Sequence, residues 1–336
     1  MPARTAGAAR CNPDATRERP FMPRTIIVDT DPSPDDAVAF LMALGSPDEL
    51  DLAAITTVGG NVPLHHTTRN ALKALELAGH PEVPVFAGAA GPLVRPLATA
   101  EHVHGATGFE GYDLPEPKIV ATPGFAPHVV IDLVMNRPPK TVTLCCLAPL
   151  TNIALALAER PEIAARLAEI VLMGGARREG GNITPAAEYN IFVDPEAAER
   201  VLACGAPITM IPLDCTHKAL TSKARLAALR ARGTPLAEAF FHLLSFNKLF
   251  DEGLKGTDGG PLHDPTVVAF LLRPALFSGR RVNVAVERSG EFTRGQTVVD
   301  WWGVTDRPKN VLWIDDLDAD GYFELVFERL IRAERR

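Results

Sequence analysis

Residues 26–37 read Ile-Ile-Val-Asp-Thr-Asp-Pro-Ser-Pro-Asp-Asp-Ala, so four carboxylates stand where an apolar strand runs into a helix. The apolar run predicts a buried parallel strand, and the two-residue period of a strand puts Asp29 and Asp31 on one side of its carboxyl end. A serine, a proline and two acids follow, which is the composition of a helix N-cap and first turn. Asp35 and Asp36 are therefore predicted to open a helix beside Asp31.

These acids have a structural and a functional interpretation. Asp35 and Asp36 could merely complement the dipole of the helix that they open. That interpretation leaves Asp29 and Asp31 unexplained, because two acids at the end of a hydrophobic strand cost desolvation energy without helping the fold. Open α/β proteins bind their ligands at the carboxyl ends of parallel strands. We therefore favour a metal or acid/base site, since a cation or a proton must neutralise such a cluster.

The composition indicates an α/β protein that acts on a small molecule. The chain has 336 residues, of which 46% are hydrophobic, enough for one large domain or two ordinary ones. Its net charge of −7 and the lack of a Lys/Arg-rich stripe argue against a nucleic-acid or anionic-membrane surface. The five cysteines lack zinc spacing, and no apolar stretch approaches the ~18 residues of a membrane helix. These features predict a reduced, cytoplasmic protein.

The order of elements predicts an α/β fold, an open, doubly wound, mostly parallel sheet with a Rossmann-like core. Residues 1–22 are rich in Ala, Arg and Pro and are predicted to be a disordered leader, or to lie upstream of a true start at Met22, whereas residues 23–336 are predicted to form a single catalytic domain. The last three strands are close enough in sequence to pair as a small antiparallel extension near the C-terminus. The predicted strands are 25–30, 52–58, 83–87, 141–147, 169–173, 207–213, 282–287, 296–302 and 311–314, and the predicted helices are 34–44, 65–78, 126–136, 151–158, 194–204, 221–231, 235–250, 266–272 and 317–333.

Amides and a further carboxylate follow other predicted strands. Asn61 comes after two glycines at the end of the second strand, so it either faces the same edge as Asp31 or marks a simple turn. Asn182, Glu188 and Asn190 lie in a segment without regular pattern, and the last two share a face if the chain is extended there. These groups bind hydroxyls, because a carboxylate accepts hydrogen bonds and an amide both donates and accepts them.

Two histidines lie in predicted binding loops. His263 precedes Asp264, which could be the N-cap of the next helix or could offer a hard-metal oxygen beside a proton donor. His104 precedes a glycine in a glycine-rich stretch that is typical of a mobile lid. Asp194 precedes a proline and a helix, and it is assigned a structural capping role.

Seven short motifs occur in order along the chain. They are Asp-Thr-Asp-Pro-x-x-Asp-Asp at 29–36, Ile-Thr-Thr-Val-x-Gly-Asn at 55–61, His-Gly at 104–105, Pro-Leu-Thr-Asn-Ile-Ala at 149–154, Val-Leu-Met-Gly-Gly at 171–175, Ala-Glu-Tyr-Asn-Ile at 187–191 and His-Asp-Pro at 263–265. With these motifs the chain resembles the inosine-uridine-preferring nucleoside hydrolases from about residue 24 to residue 330. The resemblance implies a calcium-dependent N-ribohydrolase on an open α/β fold, assembled as a homodimer or homotetramer.

The resemblance also implies a role for individual residues. His263 would protonate the leaving base, and His104 would contact the nucleobase region. Calcium would be bound by four groups, the carboxylates of Asp31, Asp36 and Asp264 and the backbone carbonyl of Leu147. Ribose would be bound by Asp35, Asn61, Asn182, Glu188 and Asn190, with Met173 lining the sugar pocket.

Two positions depart from the commonest pattern of the family. Leu147 stands where threonine is often found, which is harmless because only its carbonyl is required. Ser33 stands where glycine is usual, and it would strain the turn if a positive φ were needed there.

The chemistry of a hydrolase accounts for these residues. A ribose presents cis 2′- and 3′-hydroxyls, and a calcium ion can bind both together with a water. Asp31 would act as general base while the water attacks C1′ through an oxocarbenium-like transition state, and His263 would protonate the departing base. The predicted substrate is therefore a ribonucleoside, with calcium as the cofactor.

Two other functions remain open. A strand followed by Asp29-Thr30-Asp31 and a later Asp315-Asp316 pair also fit a phosphatase of the haloacid dehalogenase type. The opening motif of that family has Thr or Val at its fifth position, where this chain has Ser33. A non-catalytic nucleoside- or ribose-binding protein could retain the same calcium cage. The preferred base is not predicted. Trp301 and Trp302 are candidates for stacking on it, with burial in an edge strand as the alternative.

Overall fold

The structure is a computed structural model. It describes residues 22–256 and 258–335, and for residues 247–255 it describes the backbone only. The leader predicted for residues 1–22 therefore lies outside the described residues except for Met22, which is exposed.

Nine strands in the described residues form one sheet. They are β1 (Arg24–Thr30), β2 (Leu50–Thr57), β3 (Val85–Ala87), β4 (Val142–Cys146), β5 (Glu169–Met173), β6 (Ile208–Ile211), β7 (Phe277–Val286), β8 (Thr297–Asp300) and β9 (Val311–Leu317). Their order across the sheet is β3-β2-β1-β4-β5-β6-β9-β7-β8. All neighbours from β3 to β9 pair in parallel, whereas β7 pairs antiparallel with β9 and β8.

Helices connect these strands and cover the sheet. In the described residues they are α1 (Pro34–Leu44), α2 (Leu64–Ala78), α3 (Glu101–His104), α4 (Ala126–Met135), α5 (Thr151–Glu159), α6 (Ile163–Arg166), α7 (Tyr189–Val193), α8 (Pro195–Leu202), α9 (Leu213–Thr216), α10 (Lys223–Arg230), α11 (Pro235–Lys255), α12 (Pro265–Leu272) and α13 (Ala319–Arg332). Along β1, Ile26 and Val28 pack with α1, α12 and α13, whereas Ile27 packs with α4, α5 and α8. Successive side chains of a strand point to opposite faces, so the sheet is buried on both sides.

The predicted fold class is confirmed, with two local corrections. The short helices α3, α6, α7 and α9 were not predicted, because four or five residues are too few to show a helical period. In particular, the predicted strand 207–213 ends early because its last residue begins α9. In addition, β9 does not belong to the antiparallel extension alone, since its other edge pairs in parallel with β6 and joins the extension to the main sheet.

A capping box holds the turn from β1 into α1. The backbone N–H of Ser33 donates to Asp36 Oδ2 at 2.9 Å, and the Ser33 hydroxyl lies 2.9 Å from the same oxygen and 2.6 Å from Asp35 Oδ1. The φ of Ser33 is −104°, an ordinary value for an L-residue. Serine in place of the usual glycine therefore causes no backbone strain at this turn.

Replacing Ser33 by Gly is expected to lower the free energy of unfolding by a few tenths to about 1 kcal/mol. The variant loses the capping hydroxyl, and glycine loses more backbone entropy on folding. Urea titration of the wild type and the variant, both with chelator present, measures the difference. A more stable variant would mean that Ser33 is strained in the wild type.

Candidate active site

A cleft lies at the carboxyl edge of the sheet, where the strand order reverses between β1 and β4. Such a switch point is where open α/β proteins bind ligands. Ten of the twelve predicted site residues line this cleft, namely Asp35, Asn61, His104, Leu147, Met173, Asn182, Glu188, Asn190, His263 and Asp264. The other two, Asp31 and Asp36, are buried, with 1% and 0% of their surface exposed.

Three carboxylates converge at this edge. One oxygen each from Asp35, Asp36 and Asp264 lies within 4.8 Å of the other two. Burial and the negative charge of Asp35 together raise the pKa of Asp36 to about 7, and the same two causes raise the pKa of Asp264 well above its ordinary value. The carboxylate of Asp264 makes no capping bond to α12, so helix capping does not explain it. Such a trio requires a proton or a cation to neutralise it.

Asp31 is electrostatically coupled to this trio but is not one of its members. Its Oδ2 accepts the backbone N–H of Asn61 at 2.7 Å, whereas its Oδ1 is buried and meets no hydrogen-bond partner among the described residues. Burial raises the pKa of Asp31, and the charge of Asp36 raises it further. Gly60 is required nearby, because a Cβ there would lie 1.9 Å from Asp31 Oδ2. The three converging carboxylates are therefore Asp35, Asp36 and Asp264, whereas the carboxylates expected from the sequence to bind the metal were Asp31, Asp36 and Asp264.

These oxygens fit a hard divalent cation. Calcium and magnesium prefer carboxylate and carbonyl ligands, and a cation would also give the buried Oδ1 of Asp31 a partner. The carbonyl of Leu147 accepts the side-chain amide of Asn190 at 2.9 Å, which occupies one of its two lone pairs. The cluster could therefore hold a metal ion.

Glu188 is held by backbone donors at the start of α7. Its Oε1 accepts the N–H of Asn190 at 2.9 Å, and its Oε2 accepts those of Gly175 at 2.9 Å and Ile191 at 3.2 Å. Burial raises the pKa of Glu188 to about 7. The chain is helical here and not extended, so Glu188 and Asn190 reach the cleft through a helical turn instead of strand alternation.

Two amides in the cleft have fixed orientations. The Nδ2 of Asn190 donates to the carbonyl oxygens of Leu147 at 2.9 Å and Met173 at 3.2 Å. The Oδ1 of Asn182 accepts the backbone N–H of Tyr189 at 2.9 Å. A side chain held in one orientation by its neighbours is preorganised for a polar ligand.

The two predicted histidines reach the cleft from different elements. His104 ends α3, burial lowers its pKa, and its Nδ1 has no hydrogen-bond partner in the described part of the chain. His263 precedes Asp264 and α12, and its Nδ1 lies 2.7 Å from the hydroxyl of Thr216. The segment predicted as a lid thus contains a short helix, which Gly105 ends with a φ of +79°.

The sequence interpretation also missed some lining residues and proposed others that lie elsewhere. Tyr189 belongs to a quoted motif, and its hydroxyl donates to Ala98 O at 2.8 Å. Neither Trp301 nor Trp302 lines the cleft, and Trp302 is 83% exposed. Further missed residues add an imidazole and apolar surface, and one of them, Leu244, belongs to the long helix α11. They include Ala100, His102, Val103, Ile183, Leu244 and Leu262.

The fold and site define an α/β protein with an acid cluster that could hold a metal ion, beside a cleft lined by polar side chains. A family model described as inosine-uridine preferring nucleoside hydrolase matches residues 26–324. An uncharacterized protein of Schizosaccharomyces pombe is 50% identical over 307 residues, which are 91% of this chain and 99% of that protein. The pyrimidine-specific ribonucleoside hydrolase RihA of Photobacterium profundum is 44% identical over 310 residues, which are 92% of this chain and 99% of RihA.

A solved structure agrees with this relationship. The purine-preferring ribonucleoside hydrolase from Gardnerella vaginalis superposes with a TM-score of 0.86 at 32% identity, over 93% of this chain and 99% of that chain. The chain belongs to the inosine-uridine preferring nucleoside hydrolase family, and it is a nucleoside hydrolase.

Proposed function

We propose that this protein hydrolyses the N-glycosidic bond of ribonucleosides and depends on calcium, releasing ribose and the free base. The observation that carries the proposal is the convergence of buried carboxylates on a cleft lined by amides and a further carboxylate. Carboxylates in this number suit a hard cation, and oriented amides suit the hydroxyls of a sugar. The extra acids have no comparable task in a phosphatase of the haloacid dehalogenase type.

The metal ligands in this proposal are Asp31, Asp36, Asp264 and the carbonyl of Leu147. When bound, calcium would supply positive charge and coordination positions for the cis hydroxyls of ribose and a water. Asp35 would accept a hydrogen bond from a ribose hydroxyl at the mouth of the trio.

The remaining predicted residues bind the sugar and exclude water around it. Asn61, Asn182, Glu188 and Asn190 would bind the ribose hydroxyls, and Met173 would cover its apolar face. Each of the four polar side chains is held by a hydrogen bond before the ligand arrives, which lowers the entropy cost of binding.

Asp31 and His263 move the protons in this mechanism. Asp31 would take a proton from the attacking water, for which a carboxylate whose pKa is raised by burial is suited. His263, which lines the cleft, would give a proton to the departing base, and His104 would contact that base. A base that is protonated as it departs is a better leaving group than the free anion. General acid catalysis therefore lowers the barrier to cleavage of the glycosidic bond.

Pyrimidine ribonucleosides are the proposed preferred substrates. The support is the 44% identity to the pyrimidine-specific RihA, against 32% identity to the purine-preferring Gardnerella vaginalis enzyme. A panel of uridine, cytidine, inosine, adenosine and guanosine, assayed for free base with calcium present, tests this preference. Faster release of hypoxanthine or guanine than of uracil would contradict it.

Assembly and location also belong to this proposal. We propose a homodimer or homotetramer in a reduced, cytoplasmic environment, with the one catalytic domain spanning residues 23–336. Cys145, Cys146, Cys204 and Cys215 are free thiols, as expected of a reduced protein. Every helix in the described residues is too short or too polar to cross a lipid bilayer.

Loss of the 2′-hydroxyl is expected to remove most activity. Uridine should be hydrolysed at least ~10²-fold faster than 2′-deoxyuridine, because a site built around a hydroxyl rejects the analogue that lacks it. Values of kcat/KM from uracil release measure the ratio. Equal values would contradict the binding of both cis hydroxyls by the metal and the amides.

Chelation of calcium is expected to lower the melting temperature, and more so at pH 8 than at pH 6. In the metal-free protein the pKa of Asp36 is raised from 3.8 to about 7. Between pH 3.8 and pH 7 the folded state therefore binds more protons than the unfolded state. Stability of the metal-free protein therefore falls as the pH rises through this window. Calcium at ~100 times its Kd adds about 2.7 kcal/mol to the free energy of unfolding. Thermal unfolding with calcium or chelator at both pH values measures the effect; an unchanged melting temperature would contradict calcium binding.

A further inference from the structure

The hydroxyl of Thr216 contacts the proposed acid from outside the cleft. Its Oγ1 lies 2.7 Å from Nδ1 of His263, and Thr216 is fully buried. His263 lines the cleft, whereas Thr216 does not. The two residues are 47 positions apart in the sequence, so this contact depends on the fold.

The turn that carries Thr216 is fixed on several sides. It is the last residue of α9, which follows β6 at the carboxyl edge of the sheet. The carboxylate of Asp214 in the same helix accepts the backbone N–H groups of Arg177 at 2.7 Å and Arg178 at 2.8 Å. His217, the next residue, contacts Glu179 through its Nδ1 at 3.0 Å. The position of the Thr216 hydroxyl is therefore set by a rigid turn.

A hydroxyl in this position bonds Nδ1 of His263, one of the two ring nitrogens that carry a proton in the charged imidazole. Thr216 Oγ1 can accept a hydrogen bond from Nδ1–H of His263 whether the ring is charged or neutral. With Nδ1–H engaged, proton transfer to a ligand must occur from Nε2, and the ring cannot rotate without losing the bond. Groups that fix the tautomer and orientation of a histidine in this way strongly affect its function.

We propose that Thr216 is a positioning residue for His263, which orients the imidazole so that Nε2 delivers the proton to the leaving base. This inference rests on the proposed function and adds to it a residue that does not touch the substrate. It also gives a role to the Asp214-Cys215-Thr216-His217 turn, to which the mechanism assigned none.

The test compares Thr216→Val with Thr216→Ser. Valine keeps the size of the side chain but removes the hydroxyl, whereas serine keeps the hydroxyl. The Val variant should lower kcat for uridine by about tenfold with little change in KM, because a neutral hydrogen bond is lost. The Ser variant should restore most of the rate. Hydrolysis of p-nitrophenyl riboside, whose leaving group needs no proton, should stay within about twofold of the wild type for both variants.

A matched control is available in the core. Thr143 on β4 is fully buried, and its hydroxyl has no hydrogen-bond partner among the described residues. Thr143→Val therefore repeats the change of side chain without removing a hydrogen bond. It should leave the rate of hydrolysis of both substrates unchanged. If Thr143→Val slows uridine as much as Thr216→Val does, general loss of packing explains the effect and the proposal is overturned.

A double-mutant cycle with His263→Ala completes the test. In the His263→Ala background, Thr216→Val should have no further effect on uridine, because the ring that it positions is gone. A further tenfold loss, or equal slowing of both substrates by Thr216→Val alone, would overturn the proposal. If the wild type hydrolyses uridine and Thr216→Val is equally fast, only this inference fails. If the wild type releases no base from any ribonucleoside, the proposed function fails as well.

Discussion

Replacing His263 by Ala is expected to slow uridine hydrolysis by roughly 10²–10⁴-fold, because the departing uracil loses its acid catalyst. The same change should slow p-nitrophenyl riboside far less, since a phenolate leaves without a proton. Ribose and metal binding should be nearly intact, because Asp264 is unchanged. The ratio of kcat values for the two substrates, measured on the same preparation, gives the size of the acid contribution.

His128→Ala provides the control for this experiment. His128 is exposed on α4, pairs with Glu159 and does not line the cleft. Its loss should change neither rate. Equal slowing of both substrates by His263→Ala would mean that the residue positions the sugar or the metal, and the leaving-group half of the mechanism would then be wrong.

Replacing Asp31 by Asn is expected to abolish measurable turnover, because the variant lacks both the base and one metal charge. The fold should survive. Asp31 contributes one hydrogen bond to the backbone of Asn61, and its burial as an anion is unfavourable, as its raised pKa indicates. In the presence of chelator, the variant should therefore melt at or above the temperature of the wild type. Uracil release and thermal unfolding measure the two effects.

Asp194→Asn should show the opposite behaviour. Asp194 caps α8 by accepting the N–H of Ala197 at 2.9 Å, and its second oxygen accepts from Leu93 and Thr151 at 2.9 and 2.7 Å. An amide cannot accept all of these bonds, so the melting temperature should fall while kcat stays close to that of the wild type. Full activity in Asp31→Asn would contradict the assignment of Asp31 as the base.

Much of this arrangement can be predicted from local sequence. The apolar run before Asp29 and the Ser-Pro-Asp-Asp sequence after it each specify one element, and the structure has a strand and a capped helix at those positions. Asp194 was assigned to a helix cap on the same local grounds, and its side chain does cap α8. Parallel strands bring their carboxyl ends to one edge, so residues distant in sequence were expected to meet there.

The rest depends on tertiary contacts that have no local pattern. Asp264 occupies the N-cap position of α12 but turns its carboxylate to the acid trio. The guanidinium groups of Arg177 and Arg280 lie 3.9 and 3.7 Å from the ring centre of Trp301, which does not line the cleft and is therefore not placed to stack on a base. The bond from Thr216 to His263 likewise joins two turns that only the complete sheet brings together.

In the proposed reaction, the cleft cleaves a ribonucleoside with water. The most direct measurement is the yield of uracil and of free ribose from uridine, incubated with the wild-type protein and calcium in phosphate-free buffer. We expect equimolar uracil and ribose, and loss of both products on chelation or in Asp31→Asn. Saturable binding of uridine with no release of uracil would contradict it and would indicate a binding protein instead.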